Sequence, residues 1–201
     1  MKRILSLTLL PVAFVLFACG SEAPEAGPGG AAPGTGEPPS PMGGGSAPDF
    51  SAAGLAYDLP PGWNRVPPES PMRMDQATIP GEGGSAEMAV FFFGPGSGGG
   101  VQENLDRWAA QVRSSAPPAQ ESFETGGMRV TWMDVSGTLL PSSMGMGPAT
   151  EQPNSRMFAA VVEGDGGPWF FKITGPAPTL AGERDAFVAM LRSVRRAGTG
   201  V

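Results

Sequence analysis

Histidine is absent from all 201 residues, cysteine occurs once, at Cys19, and the lysines are Lys2 and Lys172 alone. Without histidine there is no side chain that titrates near neutrality unaided, and Ser-His-Asp triads, Cys-His dyads and imidazole metal sites are excluded. A basic surface is also missing: 13 lysines and arginines face 19 acids, giving a net charge of −6. Such a chain has no electrostatic footprint for a phosphate backbone, so nucleic acid is not an expected partner. No apolar run is long enough to cross a bilayer, since the longest, Ile4 to Phe17, falls short of the ~20 residues a spanning helix needs and is interrupted by Ser6, Thr8 and Pro11.

That short run has another meaning. Lys2 and Arg3 supply a positive start, Ile4 to Phe17 an apolar core, and Ala18 a small residue before Cys19, which is the order of a secretory signal. Leu16-Phe17-Ala18-Cys19 resembles the lipobox of bacterial lipoproteins. The resemblance implies that residues 1–18 are removed as a signal peptide and that the Cys19 thiol carries lipid, palmitate among its acyl chains. Two or more chains hold a protein stably on a membrane, where one does so only marginally. Gly20 stands where Asp marks inner-membrane retention in many such lipoproteins, so the expected location is the cell envelope, anchored in the outer membrane and facing the periplasm or the cell surface. Loss of Lys2 and Arg3 with the signal takes the net charge from −6 to −8. An acylated Cys19 also leaves no thiol for a disulfide, a zinc knuckle or a nucleophile. Carboxylates, hydroxyls, Lys172, Tyr57 and thioethers remain as reactive groups.

Residues 20–49 are Gly, Pro, Ala, Ser and a few acids, with Met42 the lone large apolar residue. A stretch of that composition cannot offset its ordering entropy, and a disordered tether is expected, with a mean reach of ~30 Å by square-root scaling. From residue 50 to 201 apolar and aromatic residues recur between turn signals over the length of one domain. Strands are expected at Leu55 to Leu59, Met72 to Ile79, Glu87 to Phe93, Met128 to Leu140, Met157 to Glu163 and Trp169 to Thr174. Val101, Leu105, Trp108, Ala109 and Val112 form one helical face ended by Pro117-Pro118, and Thr179 is placed to cap a last helix with Phe187, Met190, Leu191 and Val194 buried. Gly164-Asp165-Gly166-Gly167 has hairpin chemistry. The class that follows is α+β, an antiparallel sheet with helices packed on it.

Leu59-Pro60-Pro61-Gly62-Trp63, Trp169 through Pro176 and Phe187 through Ser193, in this order of elements, resemble the PsbP-like α/β/α sandwich. With Asn104 through Trp108 and Asp134 through Thr138, the same segments are similar to small uncharacterised bacterial lipoproteins. The resemblance implies a fold and a compartment, and brings no catalytic residue with it.

Four patterns invite chemistry. Gly94-Pro95-Gly96-Ser97-Gly98-Gly99 matches the dinucleotide fingerprint, but Pro95 removes a donor and no parallel crossover follows, so a strand-to-helix connection accounts for it. Met72, Met74, Met144 and Met146 offer thioethers suited to Cu(I), while alternation equally puts Met72 and Met74 on one packed strand face. Glu163 and Asp165 lack the further ligands of a calcium loop. Glu103 and Asp106 share a helix surface beside Arg107, as a solvated face does more often than a catalytic pair. No catalytic, cofactor or metal residue is therefore assigned, and Cys19 is the one site residue. The expected function is that of a lipid-anchored envelope domain that binds a protein or small ligand without catalysis, its partners the membrane through Cys19 and an envelope protein. The alternatives are an envelope enzyme using carboxylates alone and a methionine-based Cu(I) binder. The segment 141–156, too long for a hairpin, is the expected place for a specific interaction.

Overall fold

The computed structural model describes residues 54–142, 148–164 and 166–198; Cys19, the 20–49 segment, Met144, Met146 and Asp165 lie outside them. The sheet is built on three long strands, β7 (Met128–Leu139), β8 (Gln152–Gly164) and β9 (Gly167–Pro176), joined in succession as antiparallel neighbours. Their middles are apolar at consecutive positions: Trp132 and Met133, Phe158 to Val162, and Trp169 to Phe171 are all buried. Alternation sends successive side chains to opposite faces, so a continuous apolar run demands a cover on both.

Both faces are covered by helices. One carries Val130, Trp132, Phe158, Phe171 and Ile173 and receives Phe187, Met190 and Leu191 of α3 (Arg184–Arg192). Phe187 stacks on Phe158 with ring centroids 5.4 Å apart and meets Trp132 edge-on at 6.0 Å. Burial of three such side chains contributes roughly 5–9 kcal/mol before entropy is subtracted. The other face carries Met133, Val135, Met157, Val161 and Phe170 and receives Leu105 and Trp108 of α1 (Val101–Ala109).

The remaining strands extend the sheet to the order β2 (Asn64–Arg65), β3 (Arg73–Ile79), β4 (Ala86–Phe92), β9, β8, β7 and β5 (Val112–Arg113), with β6 (Ala119–Thr125) also on β7. A two-stranded ribbon pairs β1 (Leu55–Ala56) with β10 (Arg195–Arg196), and α2 (Ala177–Leu180) follows β9. The architecture is α+β with an antiparallel sheet, as expected, though strands far outweigh helix.

Several expectations are corrected. The stripe ending in Val112 is divided, because α1 closes at Ala109 and the Gln111 carbonyl instead accepts from the Leu140 amide at 2.8 Å, drawing Val112 into β5. Gly137 makes that pairing feasible, since a Cβ there would sit 2.3 Å from the Arg113 carbonyl oxygen. The strand β6 carries one apolar side chain of size, Phe123, and its exposed edge position left no alternation to read. Thr179 does not cap the last helix; it lies inside α2 and donates its hydroxyl to the Gly84 carbonyl at 2.6 Å. The Leu55 to Leu59 strand shrinks to two residues as Tyr57 turns inward, and β8 begins at Gln152, which shortens the 141–156 segment.

Candidate functional site

The helix α1 is nine residues long, ~13 Å at 1.5 Å per residue, and cannot cover its whole face of the sheet. Beyond it the face turns polar. Two cross-strand rows run Gln76, Ala89, Lys172, Ala159 and Thr78, Glu87, Thr174, Met157 across β3, β4, β9 and β8. Over Glu87 and Thr174 of the second row lies a cleft of about 770 Å³ bounded also by Glu69, Arg73, Leu139, Pro148 and residues 152–155. The cleft floor depends on Gly175, where a Cβ would stand 2.3 Å from that of Ala86.

A charged network forms one wall. Arg73 Nη1 lies 3.0 Å from Glu87 Oε1 and 3.7 Å from Glu69 Oε2. The same Nη1 is buried and not aligned for a hydrogen bond with either carboxylate, so it is an ion pair by distance alone. Gln76, itself buried, donates from Nε2 to Glu87 Oε2 at 3.1 Å and accepts the Glu69 amide at 2.9 Å. One row closer to α1 and outside the cleft lining, Lys172 donates from Nζ to Gln111 Oε1 at 2.6 Å. Burial lowers the Lys172 ammonium to about 8, helped by repulsion from Arg73 and Arg107 and opposed by attraction to Glu87. Alanines on both neighbouring strands leave no tall side chain beside it.

The rim holds an unusual backbone. Asn154, inside β8, has φ of 52°, a left-handed conformation that asparagine tolerates better than most residues. Beside it Ser155 is buried and donates to the Gln152 carbonyl at 2.9 Å, opposite the register shift between Gly137 and Leu139.

On the other face a second polar cluster is closed on itself. The Tyr57 hydroxyl and Arg65 Nε, the latter at 2.8 Å, both donate to Asp75 Oδ2, and the Gln76 amide donates to Oδ1 at 2.8 Å. Burial and then the Asp75 charge push the Tyr57 phenol far above its ordinary value. Each charge has its partner, and the cluster pins the chain after β1 to β3.

The residues singled out from sequence are not brought together. Glu103 Oε2 accepts the Gly100 amide at 3.1 Å as a helix cap, while Asp106 Oδ1 accepts from Gln102 on the exposed side of α1 at 2.7 Å. In the glycine loop, the Gly98 and Gly100 carbonyls accept from Asn104 Nδ2, each at 2.8 Å, and the helix it leads into carries the chain from β4 to β5, with three strands between them in a sheet whose neighbours pair antiparallel. Met72 is exposed and Met74 packs on the core, separated by a register shift between Arg73 and Asp75 that breaks their alternation. Glu163 pairs across the hairpin with Pro168, and Gly164 with Gly167. Among the described residues no three carboxylates gather to hold a metal ion, and no helix is long and apolar enough to cross a membrane. No spacing in the sequence links Arg73 with Glu87, and Lys172, one of the reactive groups, has no neighbour in sequence that marks its burial other than the apolar run Trp169-Phe170-Phe171-Lys172-Ile173 around it.

No family model matches the sequence, and no curated protein does either. Among solved structures the chain is similar to a Pseudomonas aeruginosa protein of unknown function, 11% identical, with 67% of this chain and 90% of that one covered at a TM-score of 0.45.

Proposed function

We propose that this is a lipid-anchored protein of the cell envelope whose folded domain is a non-enzymatic binding module, with the cleft beside Arg73 and Glu87 as its ligand surface. The observation that carries the reading is the cleft itself: a concavity of about 770 Å³ with fixed polar groups on its wall, the size of a small-ligand site. Its two wall carboxylates, Glu69 and Glu87, both lie against Arg73, so neither stands free beside a nucleophile. Anchoring rests on Leu16-Phe17-Ala18-Cys19, and the outer membrane, facing the periplasm or the cell surface, on Gly20 after it. Assignment to the PsbP-like α/β/α sandwich and the small envelope lipoproteins rests on the segments from Leu59, Trp169 and Phe187, and is supported by helices on both sheet faces.

The test is thermal unfolding of the full chain in detergent against a panel of small carboxylates, sugars and short peptides, with Ser85→Trp as the cleft-filling control. Ser85 is exposed at the cleft and its enlargement spares the core. A ligand at a hundredfold excess over its Kd stabilises by about 2.7 kcal/mol. Stabilisation by at least one class, abolished by Ser85→Trp, is expected. Stabilisation by none, or by the same ligands in Ser85→Trp, overturns the reading.

A further inference from the structure

The strand β6 is an open edge. It pairs with β7 over seven residues without a register shift, and its other side meets no strand among the described residues. Natural edges are blunted by charge, proline, a bulge or shortness; Ala119–Thr125 has two acids, Glu121 and Glu124, and none of the rest. Which backbone groups it offers follows from the turn. Gly126 and Gly127, with φ of 55° and 74°, make a two-residue connection that sets Thr125 opposite Met128. The residues flanking such a turn bond to each other, and the direction of bonding then alternates along the strand. Ala119, Glu121, Phe123 and Thr125 therefore bond to β7, while the amides and carbonyls of Gln120, Ser122 and Glu124 point outward. Among the described residues no group bonds to those outward amides and carbonyls.

We propose that β6 pairs antiparallel with the β6 of a second copy of this chain, about a two-fold axis at Ser122, so that one sheet runs through both subunits. A two-fold contact needs a self-complementary surface, and this strand is one. Centred on Ser122, Ser122 faces itself and Gln120 faces the partner's Glu124, so every outward amide and carbonyl finds a mate. A centre at Glu121 or Glu124 sets like charges opposite each other, and one at Gln120 or Phe123 leaves outward groups unpaired. Side chains agree with the Ser122 centre on both faces. On the α1 face, shared with Met133, the Gln120 amide meets the partner's Glu124 carboxylate. On the α3 face Phe123 meets the partner's Glu121, and the Arg192 guanidinium lies 4.4 Å from the Phe123 ring. Arg192 has no carboxylate within ion-pairing distance among the described residues, and the partner's Glu121 supplies one. The contact depends neither on the anchor nor on the cleft, whose charged wall is on β3 and β4 across the sheet.

The full chain carrying Cys19→Ser has no thiol, and in that background the contact is tested by sedimentation velocity and by disulfide mapping. A single strand edge buries less than a standard interface, so a dimer dissociating at roughly 10–100 μM is expected. Ser122→Pro removes an outward N–H and spares the bonds to β7, and it is expected to weaken the dimer about tenfold or more. Arg192→Glu, an exposed change that sets an acid against the partner's Glu121, is expected to weaken it several-fold. With oxidised glutathione, Ser122→Cys is expected to link to its own copy, the facing Cα atoms being about 5.5 Å apart. Gln120→Cys and Glu124→Cys are expected to link to each other and neither to itself, since each stands about 13 Å along the strand from its own copy. A chain still monomeric at about 1 mM overturns the proposal. So does a dimer that Ser122→Pro leaves unchanged, or self-linking of Gln120→Cys as fast as that of Ser122→Cys. The disulfide pattern alone decides if Ser122→Pro fails to fold.

Discussion

Replacing Lys172 by Met should stabilise the ligand-free domain at neutral pH, although it removes a hydrogen bond. The folded state holds this ammonium at about 8 against 10.5 for an exposed lysine. At about 1.36 kcal/mol for each tenfold change in proton affinity, the drop corresponds to roughly 3 kcal/mol. Solvent reaching a half-buried group reduces this toward ~2 kcal/mol. The lost bond to Gln111, 2.6 Å in the parent, costs about 1 kcal/mol, and less if water replaces it. Methionine returns part of that by burying its own thioether among Ala89 and Ala159. The net expectation is a gain of about 1–2 kcal/mol at pH 7. The pH dependence follows from the sign of the shift. Because the folded value is depressed, the unfolded chain binds more protons between about 8 and 10.5, and parent stability rises through that window. Below it both states carry the charge and the penalty is constant. The Met variant has no such rise, so its advantage should shrink from pH 8 upward and vanish near 10.5. Tyr57, raised in the folded state, erodes both proteins alike above pH 10 as the unfolded phenol ionises, and cancels in the difference. Urea unfolding at intervals from pH 6.5 to 10.5 measures this, those limits being set about the shifted and ordinary values. A variant less stable than the parent at pH 7, or an advantage that does not change with pH, would refute a buried, penalised ammonium.

Three further outcomes are expected. Phe187→Ala removes a fully buried ring that touches Phe158 and Trp132 and should cost about 3–5 kcal/mol in urea unfolding, a loss under about 1 kcal/mol showing that α3 does not close its face as described. Gly175→Ala forces a Cβ to within 2.3 Å of that of Ala86 and should cost about 1–3 kcal/mol, while Gly182→Ala, with open space around it, should stay within about 0.5 kcal/mol; equal effects would contradict the β4 to β9 approach. Cys19→Ser should leave thermal unfolding of the domain unchanged and move the protein from the detergent to the aqueous phase, and retention in the detergent phase would rule out Cys19 as the anchor.

By itself the sequence determined the elements whose signals are local. Apolar and aromatic runs between turn signals placed β7 and β9, the glycines at 164, 166 and 167 placed the hairpin between β8 and β9, and the spacing of Leu105 and Trp108 or of Phe187, Met190 and Leu191 placed the helices that close the sheet. Tertiary structure decided what depends on neighbours distant in the chain. Val112 fits a helix stripe, yet a strand 27 residues away offers Leu139 as its partner and the backbone follows the pairing. An edge strand such as β6 is fixed by hydrogen bonds to β7, which any residue type supplies, so its polar composition carried no trace of it. The cleft is the extreme case. Arg73, Glu87 and Thr174 lie on β3, β4 and β9, and only the pairing of these strands brings them to one wall, at a distance along the chain where no spacing rule operates. Local sequence sets which face a side chain takes, but how charges meet across strands is set by register, and register between distant segments is decided by packing of the whole core.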